Sequence, residues 1–367
     1  MSVIDKIVNR FNSEDVIKFS DKDGFSSMKS WCHTGSPTLD YNMHTFGLPT
    51  GITEIAGPSQ SGKTTLGLMA MKWFLKENPE DGLAVILSSE NRDNKDYALQ
   101  LGIPVDRVII IKIKYVEAMF LQVKQIIKEA DDAFGEEKLT PKFFFLWDSL
   151  GATLSKSEID TMKENNERME KAIEKGESVE DFELKNEKMM AFAKEAKKFC
   201  KGIMSEMYSH TIHFVILNHQ YEQTTLGITK RKSTGGEWVS LMPTIRLGVK
   251  LKQSEKLDDE VVSQISEVKV IKNDFGSRKS TDVRILLGYG IILSQDDIDY
   301  ALKKGILTQE GKKKISFMGK VSWSSQREFF NLYFEGNKFM PILHSKIKKA
   351  MRDDLLALKE KLKANEE

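Results

Sequence analysis

The sequence predicts an α/β fold in which a twisted, mostly parallel sheet is covered on both faces and a small mixed unit follows at the C-terminal end. Three observations carry this reading. The stretch Gly57-Pro58-Ser59-Gln60-Ser61-Gly62-Lys63-Thr64-Thr65 follows an apolar run, Ile52 to Ala56, and opens a segment, Leu66 to Leu75, with helical apolar spacing. Further apolar runs at 83–87, 143–147 and 213–217 end in polar or acidic residues, as strands of a sheet buried on both faces do. Period-two alternation in Val249-Lys250-Leu251-Lys252 and in Glu267 to Lys272 adds antiparallel strands to that sheet.

Composition sets the outer limits. A chain of 367 residues suits one large domain or two to three small ones, at roughly 100–200 residues each. Hydrophobic residues make up 40% and charged residues 30%, which provides for both a core and a solvated surface. No apolar stretch approaches the ~20 residues that span a bilayer, and the N-terminus lacks the apolar region of a signal peptide. The expected location is the cytoplasm, or the host cytoplasm for a viral source, with no membrane partner. Cys32 and Cys200 lie far apart without a CxxC pattern, so they read as buried thiols rather than a zinc site or a disulfide. The formal net charge is +1, so any nucleic-acid partner has to be argued from local charge.

In chain order, Val3, Ile4, Ile7, Val8 and Phe11 form one helical face, and Val16 to Phe19 reads as a short strand with no partner nearby. Such an element packs on its own core or on a neighbouring subunit. Gly35 to Asp40 and Gly47 to Gly51 then punctuate a helix-and-turn entry into the first core strand.

The Gly-rich turn has the strand and helix flanks of a P-loop. Its glycines let the backbone wrap a polyphosphate at a helix N-terminus, Lys63 reaches the β- and γ-phosphates, and the Thr64 hydroxyl ligates Mg²⁺. The run from Leu83 ends at Glu90, on the strand edge where open α/β sheets bind ligands. That carboxylate could activate a water for attack on phosphate, or could simply face solvent. Val108 to Ile113 reads as a strand and Glu117 to Ala130 as an amphipathic helix. Phe143 to Trp147 runs into Asp148, the Walker B pattern of a carboxylate that holds Mg²⁺.

Residues 155–188 are dense in Glu, Lys and Asn and read as a solvated, partly helical insertion. Met189, Met190, Ala193, Ala196, Cys200, Ile203 and Met207 then mark a buried helix face. After the run ending Asn218-His219-Gln220, the stretch Tyr221 to Thr234 reads as a mobile Thr/Gly-rich loop closed by Gly235-Gly236. It holds Lys230-Arg231-Lys232, which could grip a phosphodiester backbone. From Asp296 the chain forms a small mixed unit ending in an amphipathic helix, Ile342 to Leu362.

Taken together, these pieces resemble the RecA family of DNA strand-exchange recombinases, in its bacterial and phage UvsX-like branches. The resemblance covers nearly the whole chain. It runs through Ile7 to Phe11, Gly35 to Asp40, Gly47 to Gly51, the P-loop, Glu90, Tyr97 to Ile103 and Asp148-Ser149-Leu150. Downstream it takes in Leu217-Asn218-His219, Thr234-Gly235-Gly236, Val270 to Asn273 and Gly288 to Ile291.

The resemblance implies a RecA-like P-loop ATPase core over residues 34–292. An N-terminal helix-strand polymerisation element over 1–33 precedes it, and a small C-terminal α+β domain over 293–367 follows. It implies ATP and Mg²⁺ as cofactors, Glu90 as the catalytic glutamate, and Tyr97 as the adenine-stacking residue. His219 falls at the position that senses γ-phosphate, and Lys272 at one that contacts a neighbour's ATP across a filament interface. The loop after Gln220 becomes the second DNA-binding loop and the segment after Thr153 the first. Implied partners are single- and double-stranded DNA, further copies of the chain in a helical filament, and mediator and single-strand-binding proteins.

The chain departs from the family pattern in places. The first-loop region is long, and Asp274 stands where RecA has a second interface lysine, so Arg278 or Lys279 substitutes or interface catalysis is weaker. The string Lys272-Asn273-Asp274-Phe275-Gly276 also resembles RadA/Sms-type ATPases, which implies a ring-forming DNA helicase or branch-migration motor as an alternative. That group's four-cysteine zinc module is absent. A non-enzymatic regulator on the same fold is a third reading, although Lys63, Glu90 and Asp148 are all in place for an ATPase.

Overall fold

The computed structural model describes residues 30–90, 95–175, 191–225 and 228–364, together with Asp5 and Arg10, which are helical. The expected strand at Val16 to Phe19, most of the terminal helix, and Met189 and Met190 lie outside the described residues. So do the side chains of residues 221–225, 228–233 and 362–364.

The chain opens with β1 (Trp31–Cys32), α1 (Pro37–Asn42), β2 (Leu48–Pro49) and β3 (Gly51–Gly57), which leads into α2 (Lys63–Glu77). Next come β4 (Gly82–Ser88), α3 (Lys95–Gln100), β5 (Val108–Lys112), α4 (Val116–Glu136) and β6 (Lys142–Asp148). Two helices, α5 (Lys156–Glu174) and α6 (Ala191–Glu206), precede β7 (Thr211–Thr225), β8 (Ile228–Ser233) and α7 (Trp238–Leu241). Four strands follow: β9 (Ile245–Leu257), β10 (Glu260–Asn273), β11 (Thr281–Leu286) and β12 (Gly290–Ile292). The C-terminal part holds α8 (Gln295–Lys303), β13 (Thr308–Glu310), β14 (Lys314–Phe317), β15 (Val321–Trp323), α9 (Gln326–Phe334) and α10 (Phe339–Ala364).

Among the described residues the main sheet has ten strands in the order β12-β11-β10-β9-β3-β7-β6-β4-β5, with β8 paired to β7. From β9 to β5 the neighbours are parallel, while β10, β11 and β12 extend the sheet antiparallel. This α/β architecture is the predicted one.

Side chains alternate across each strand, so one apolar run serves two cores. In β6, Phe144 and Leu146 pack with Leu66, Met69, Ala70 and Phe74 of α2. Phe143, Phe145 and Trp147 face the other way, against Val116, Met119, Val123 and Ile127 of α4 and Ala196, Phe199 and Cys200 of α6. The helical face expected through Ala196, Cys200 and Ile203 is buried as read, and both cysteines are free buried thiols. A third cluster joins Leu286, Ile292 and Leu293 to α8, α9 and α10. No helix among the described residues is long and apolar enough to cross a membrane.

One expectation is corrected. Tyr221 to Thr234 is not a loop: β7 continues to Thr225 and pairs antiparallel with β8, from Gln220 opposite Ser233 to Thr225 opposite Ile228. The stretch lacks the apolar alternation that marks a half-buried strand, and its order comes from cross-strand pairing, which intrinsic propensity predicts poorly.

A histidine at the start of β7 makes stability acid-sensitive. His213 is buried, with Nδ1 facing the Pro49 carbonyl at 3.0 Å and Nε2 facing Ser30 Oγ at 2.8 Å. The carbonyl can only accept, so Nδ1 carries the proton and Nε2 accepts from the serine hydroxyl. Burial pushes the ring from its ordinary 6.5 down to about 4. The unfolded chain therefore binds the extra proton between those values. The contribution is complete above pH 6.5 and is lost as pH falls toward 4, amounting to about 3 kcal/mol. Urea titrations across that window are expected to show a pH slope shallower by up to one proton in His213→Gln. An unchanged slope would refute the assignment. His344, lowered to about 3 mainly by burial, has the same sign and accounts for part of the remaining slope.

Candidate nucleotide site and adjoining hairpin

The sheet register brings distant motifs to one edge. β3 ends at Gly57, which lies opposite His219 of β7. β6 ends at Asp148, opposite Ser88 of β4, and Glu90 follows two residues later. In an open parallel sheet this carboxyl edge is where ligands bind.

The turn Gly57 to Gly62 is shaped by its glycines. A Cβ on Gly57 would lie 2.1 Å from the Val249 carbonyl oxygen, and Gly62 has φ +95°, a left-handed conformation that side chains disfavour. Pro58, Ser59 and Gln60 form the exposed rim, and Gln60 also has a positive φ of 59°. The loop is backed from two strands away in the sheet: Ser266 Oγ donates to the Ser61 carbonyl at 2.8 Å, and Gln264 reaches the Gln60 carbonyl at 3.5 Å.

Helix α2 begins at Lys63 with no side-chain cap and no acid in its first turn. Its first N–H groups thus keep their capacity for an anion, and the helix dipole favours negative charge there. The Ser61 hydroxyl is buried there with no hydrogen-bond partner among the described residues. Lys63 is largely buried and donates to the Pro58 carbonyl at 2.7 Å. Burial lowers its pKa, and the charges of Asp148 and Glu90 oppose that fall. These residues fit a polyphosphate: a glycine cradle, uncapped N–H groups and a desolvated cation all face one place.

The carboxylates form the second half of the site. Thr64 Oγ1 donates to Asp148 Oδ2 at 3.3 Å, which puts the two expected Mg²⁺ ligands side by side. Asp148 is pushed up to about 6, first by burial and next by the nearby charge of Glu90, while Thr64, Lys63 and His219 pull it down. An oxygen donor set of this kind suits a hard divalent cation, whose charge would favour the ionised carboxylate. Glu90 Oε1 accepts from Ser149 Oγ at 2.6 Å and faces His219 Nε2 at 3.3 Å. Ser89 Oγ in turn receives the Ser149 N–H at 3.0 Å and donates to the Ser149 carbonyl at 2.9 Å. The peptide between Asp148 and Ser149 is cis.

Tyr97 lines a cavity of about 500 Å³ together with Thr64, Ile86, Glu90, Leu146 and Asp148, and its hydroxyl pairs with Thr65 Oγ1 at 2.7 Å. Lys272 stands apart from this group. It lies opposite Arg246, which lies opposite Glu54, two strands from β3 and short of the P-loop edge. Its amine donates to the carbonyls of Leu241 and Pro243 at 2.9 and 2.8 Å and pairs with Asp274 at 3.3 Å. Asp274, expected in place of an interface lysine, thus has a partner within the chain.

Gly235 and Gly236 follow the hairpin with φ of 104° and 89°, and a Cβ on Gly235 would lie 2.7 Å from Leu150 Cδ2. The backbone places Lys230, Arg231 and Lys232 in β8 opposite Gln223, Glu222 and Tyr221. The long first-loop region forms α5, opened by a capping box between Ser155 and Glu158, and residues 176–190 lie outside the described part.

Sequence reasoning missed Ser149, Ser89, Ser266, Gln264 and Asn218. Ser149 was within reach, since it follows Asp148 directly. Ser89 and Asn218 likewise adjoin Glu90 and His219, whereas Ser266 and Gln264 come to the site only through pairing across the sheet.

A family model described as the RecA N-terminal domain matches residues 1–168. The chain is 26% identical over 314 residues to the protein named RecA of Chlorobium limicola, an alignment covering 84% of this chain and 79% of the relative. It is 24% identical over 316 residues to the RecA of Bacteroides thetaiotaomicron, covering 84% of each. With the RecA of Bifidobacterium breve it shares 27% over 283 residues, covering 76% of this chain and 63% of that one. The ring-forming alternative raised by Lys272 to Gly276 is not favoured by relatives of this name.

Proposed function

From the similarity to the RecA N-terminal domain and to RecA proteins, we propose that the chain is an ATP-dependent recombinase of that family, which assembles on single-stranded DNA and catalyses homologous pairing and strand exchange. The observation that carries the proposal is the path of β7. Its residue His219 faces Glu90 across 3.3 Å, and the same strand then continues into the hairpin that holds Lys230, Arg231 and Lys232. One continuous element thereby joins the water-activating carboxylate to the DNA-binding cations.

Each residue has a task in this reading. The loop Gly57 to Gly62, with Lys63 and Thr65, binds the triphosphate of ATP. Thr64 and Asp148 hold Mg²⁺, which supplies charge neutralisation at the phosphates. Glu90, oriented by Ser149, takes a proton from the attacking water, and His219 reports the state of that carboxylate to the hairpin. Tyr97 packs against the base. Lys272 acts in trans on a neighbour's site within a filament, which the N-terminal residues 1–33 link together. DNA is held by Lys230, Arg231, Lys232, Gly235 and Gly236, and mediator and single-strand-binding proteins govern loading.

The deciding experiment is ATP hydrolysis with and without single-stranded DNA, with electron micrographs of the same samples. Stimulation together with helical filaments is expected. Turnover on closed rings would replace the recombinase with a motor, and turnover indifferent to DNA would remove both.

The hairpin makes a separate prediction. Changing Lys230, Arg231 and Lys232 to alanine is expected to weaken binding of every DNA sequence alike. The slope of log affinity against log salt should fall by about 0.7 for each phosphate that these cations no longer neutralise. A triple variant with an unchanged slope would exclude them from the DNA interface.

A further inference from the structure

Beneath the nucleotide site lies a buried polar chain that the roles above leave unused. Glu54 sits in the middle of β3, three residues before the P-loop begins, with a fully buried carboxylate. Arg246, opposite it on β9, donates from Nε to Glu54 Oε2 at 2.6 Å. Asn218, on the other side in β7, donates from Nδ2 both to Glu54 Oε1 and to the carbonyl oxygen of Thr234, each at 2.9 Å. Thr234 is the residue that closes the hairpin, and its own N–H returns to the His219 carbonyl at 3.2 Å.

The orientation of the Asn218 amide follows from chemistry. Both of its neighbours can only accept, so the NH₂ group must face them and the oxygen must face away. That oxygen is buried and has no hydrogen-bond partner among the described residues. Buried acceptors are nearly always paired, and one that is not needs an explanation. Turning the amide over cannot help, because its oxygen would then meet a carboxylate and a carbonyl. An ordered water or a group brought up by a shift of the hairpin base would satisfy the buried oxygen.

We propose that Asn218, anchored by the Glu54–Arg246 ion pair, is a positioning residue that couples nucleotide occupancy to the placement of the β7–β8 hairpin. Its two donors tie the strand leading into the P-loop to the residue that closes the hairpin, and its neighbour His219 faces Glu90. A shift of β3 or of Glu90 on nucleotide binding is thus felt at Thr234 by two connections at once. Both sites bias the same element, as coupling between sites requires. The inference rests on the reading of the hairpin as a DNA contact.

The test compares full-length wild type with Asn218→Ala and Asn218→Asp. Affinity for a non-hydrolysable ATP analogue and for a fluorescent oligo-dT, the latter with and without that analogue, is measured along with the thermal midpoint. For Asn218→Ala, analogue affinity should stay within about twofold, while the tightening of oligo-dT by nucleotide falls at least tenfold, within the usual span of coupling factors. Asn218→Asp, which sets a second carboxylate against Glu54, should lose coupling at least as fully. A folded Asn218→Ala variant with wild-type coupling overturns the inference, as does loss of both affinities in step with the thermal midpoint.

If the variants do not fold, hydrogen exchange on the wild type decides. The Thr234 amide should exchange more slowly once the analogue binds, and an unchanged rate overturns the proposal. Wild-type protein that binds no oligo-dT would remove the DNA reading itself. The exchange result would then still tell whether the nucleotide site and the hairpin base are linked.

Discussion

Lys63→Ala is expected to abolish nucleotide binding, weakening affinity for ATP by at least about a hundredfold, or roughly 3 kcal/mol. The expectation rests on where the amine sits. Lys63 is 7% exposed, at the first position of an uncapped helix, in a loop whose glycines leave room for phosphate. A desolvated cation gains more from a phosphate than an exposed one does, because little water screens the pair. The substitution acts on the carboxylates as well. Lys63 is one of the groups that hold the pKa of Asp148 down, so its removal moves that carboxyl further up and weakens the expected Mg²⁺ site. Calorimetric titration with ATP and Mg²⁺ measures the effect directly. Affinity within about fivefold of wild type would mean that the Gly57 to Thr65 turn does not bind a triphosphate, and the proposed function would go with it.

Glu90→Gln should separate binding from chemistry. The amide keeps the size of the carboxylate and retains an oxygen for Ser149 Oγ, which now lies 2.6 Å from Oε1. ATP affinity should therefore hold while single-turnover hydrolysis falls by about 10²- to 10⁴-fold, the usual worth of a positioned general base. Removing a negative charge beside Asp148 also relieves part of the repulsion that raises the latter's pKa, so metal binding should not suffer. Ser149→Ala, which removes one hydrogen bond from the carboxylate without neutralising it, should lie between wild type and Glu90→Gln. A Glu90→Gln variant with wild-type turnover would end the assignment of Glu90 as the base. Loss of binding as well as turnover would instead point to a structural task for this carboxylate.

The contiguous motifs were legible because their meaning is local. The turn from Gly57 to Gly62 dictates its own backbone, the run Phe143 to Trp147 dictates a strand buried on both faces, and Asp148 marks that strand's end. The face of α6 could likewise be read from the spacing of Ala196, Cys200 and Ile203, because a helix repeats over a few residues. The hairpin could not be read in this way. Its strands are polar, and nothing in Tyr221 to Thr234 alternates strongly enough to outweigh the threonines and the glycine that suggest a loop.

By itself, then, the amino-acid sequence determined the α/β class, the Gly57 to Gly62 turn and its helix, the acidic strand ends and the resemblance to the RecA family. Tertiary structure alone decided which of these residues meet. Ser149 reaches Glu90 across 59 positions, and Asn218 reaches Glu54 across 164. Such contacts depend on the register between strands, where a slip of one residue would turn each side chain to the other face of the sheet. Register is set by the packing of both cores together, and no short stretch of chain contains that information.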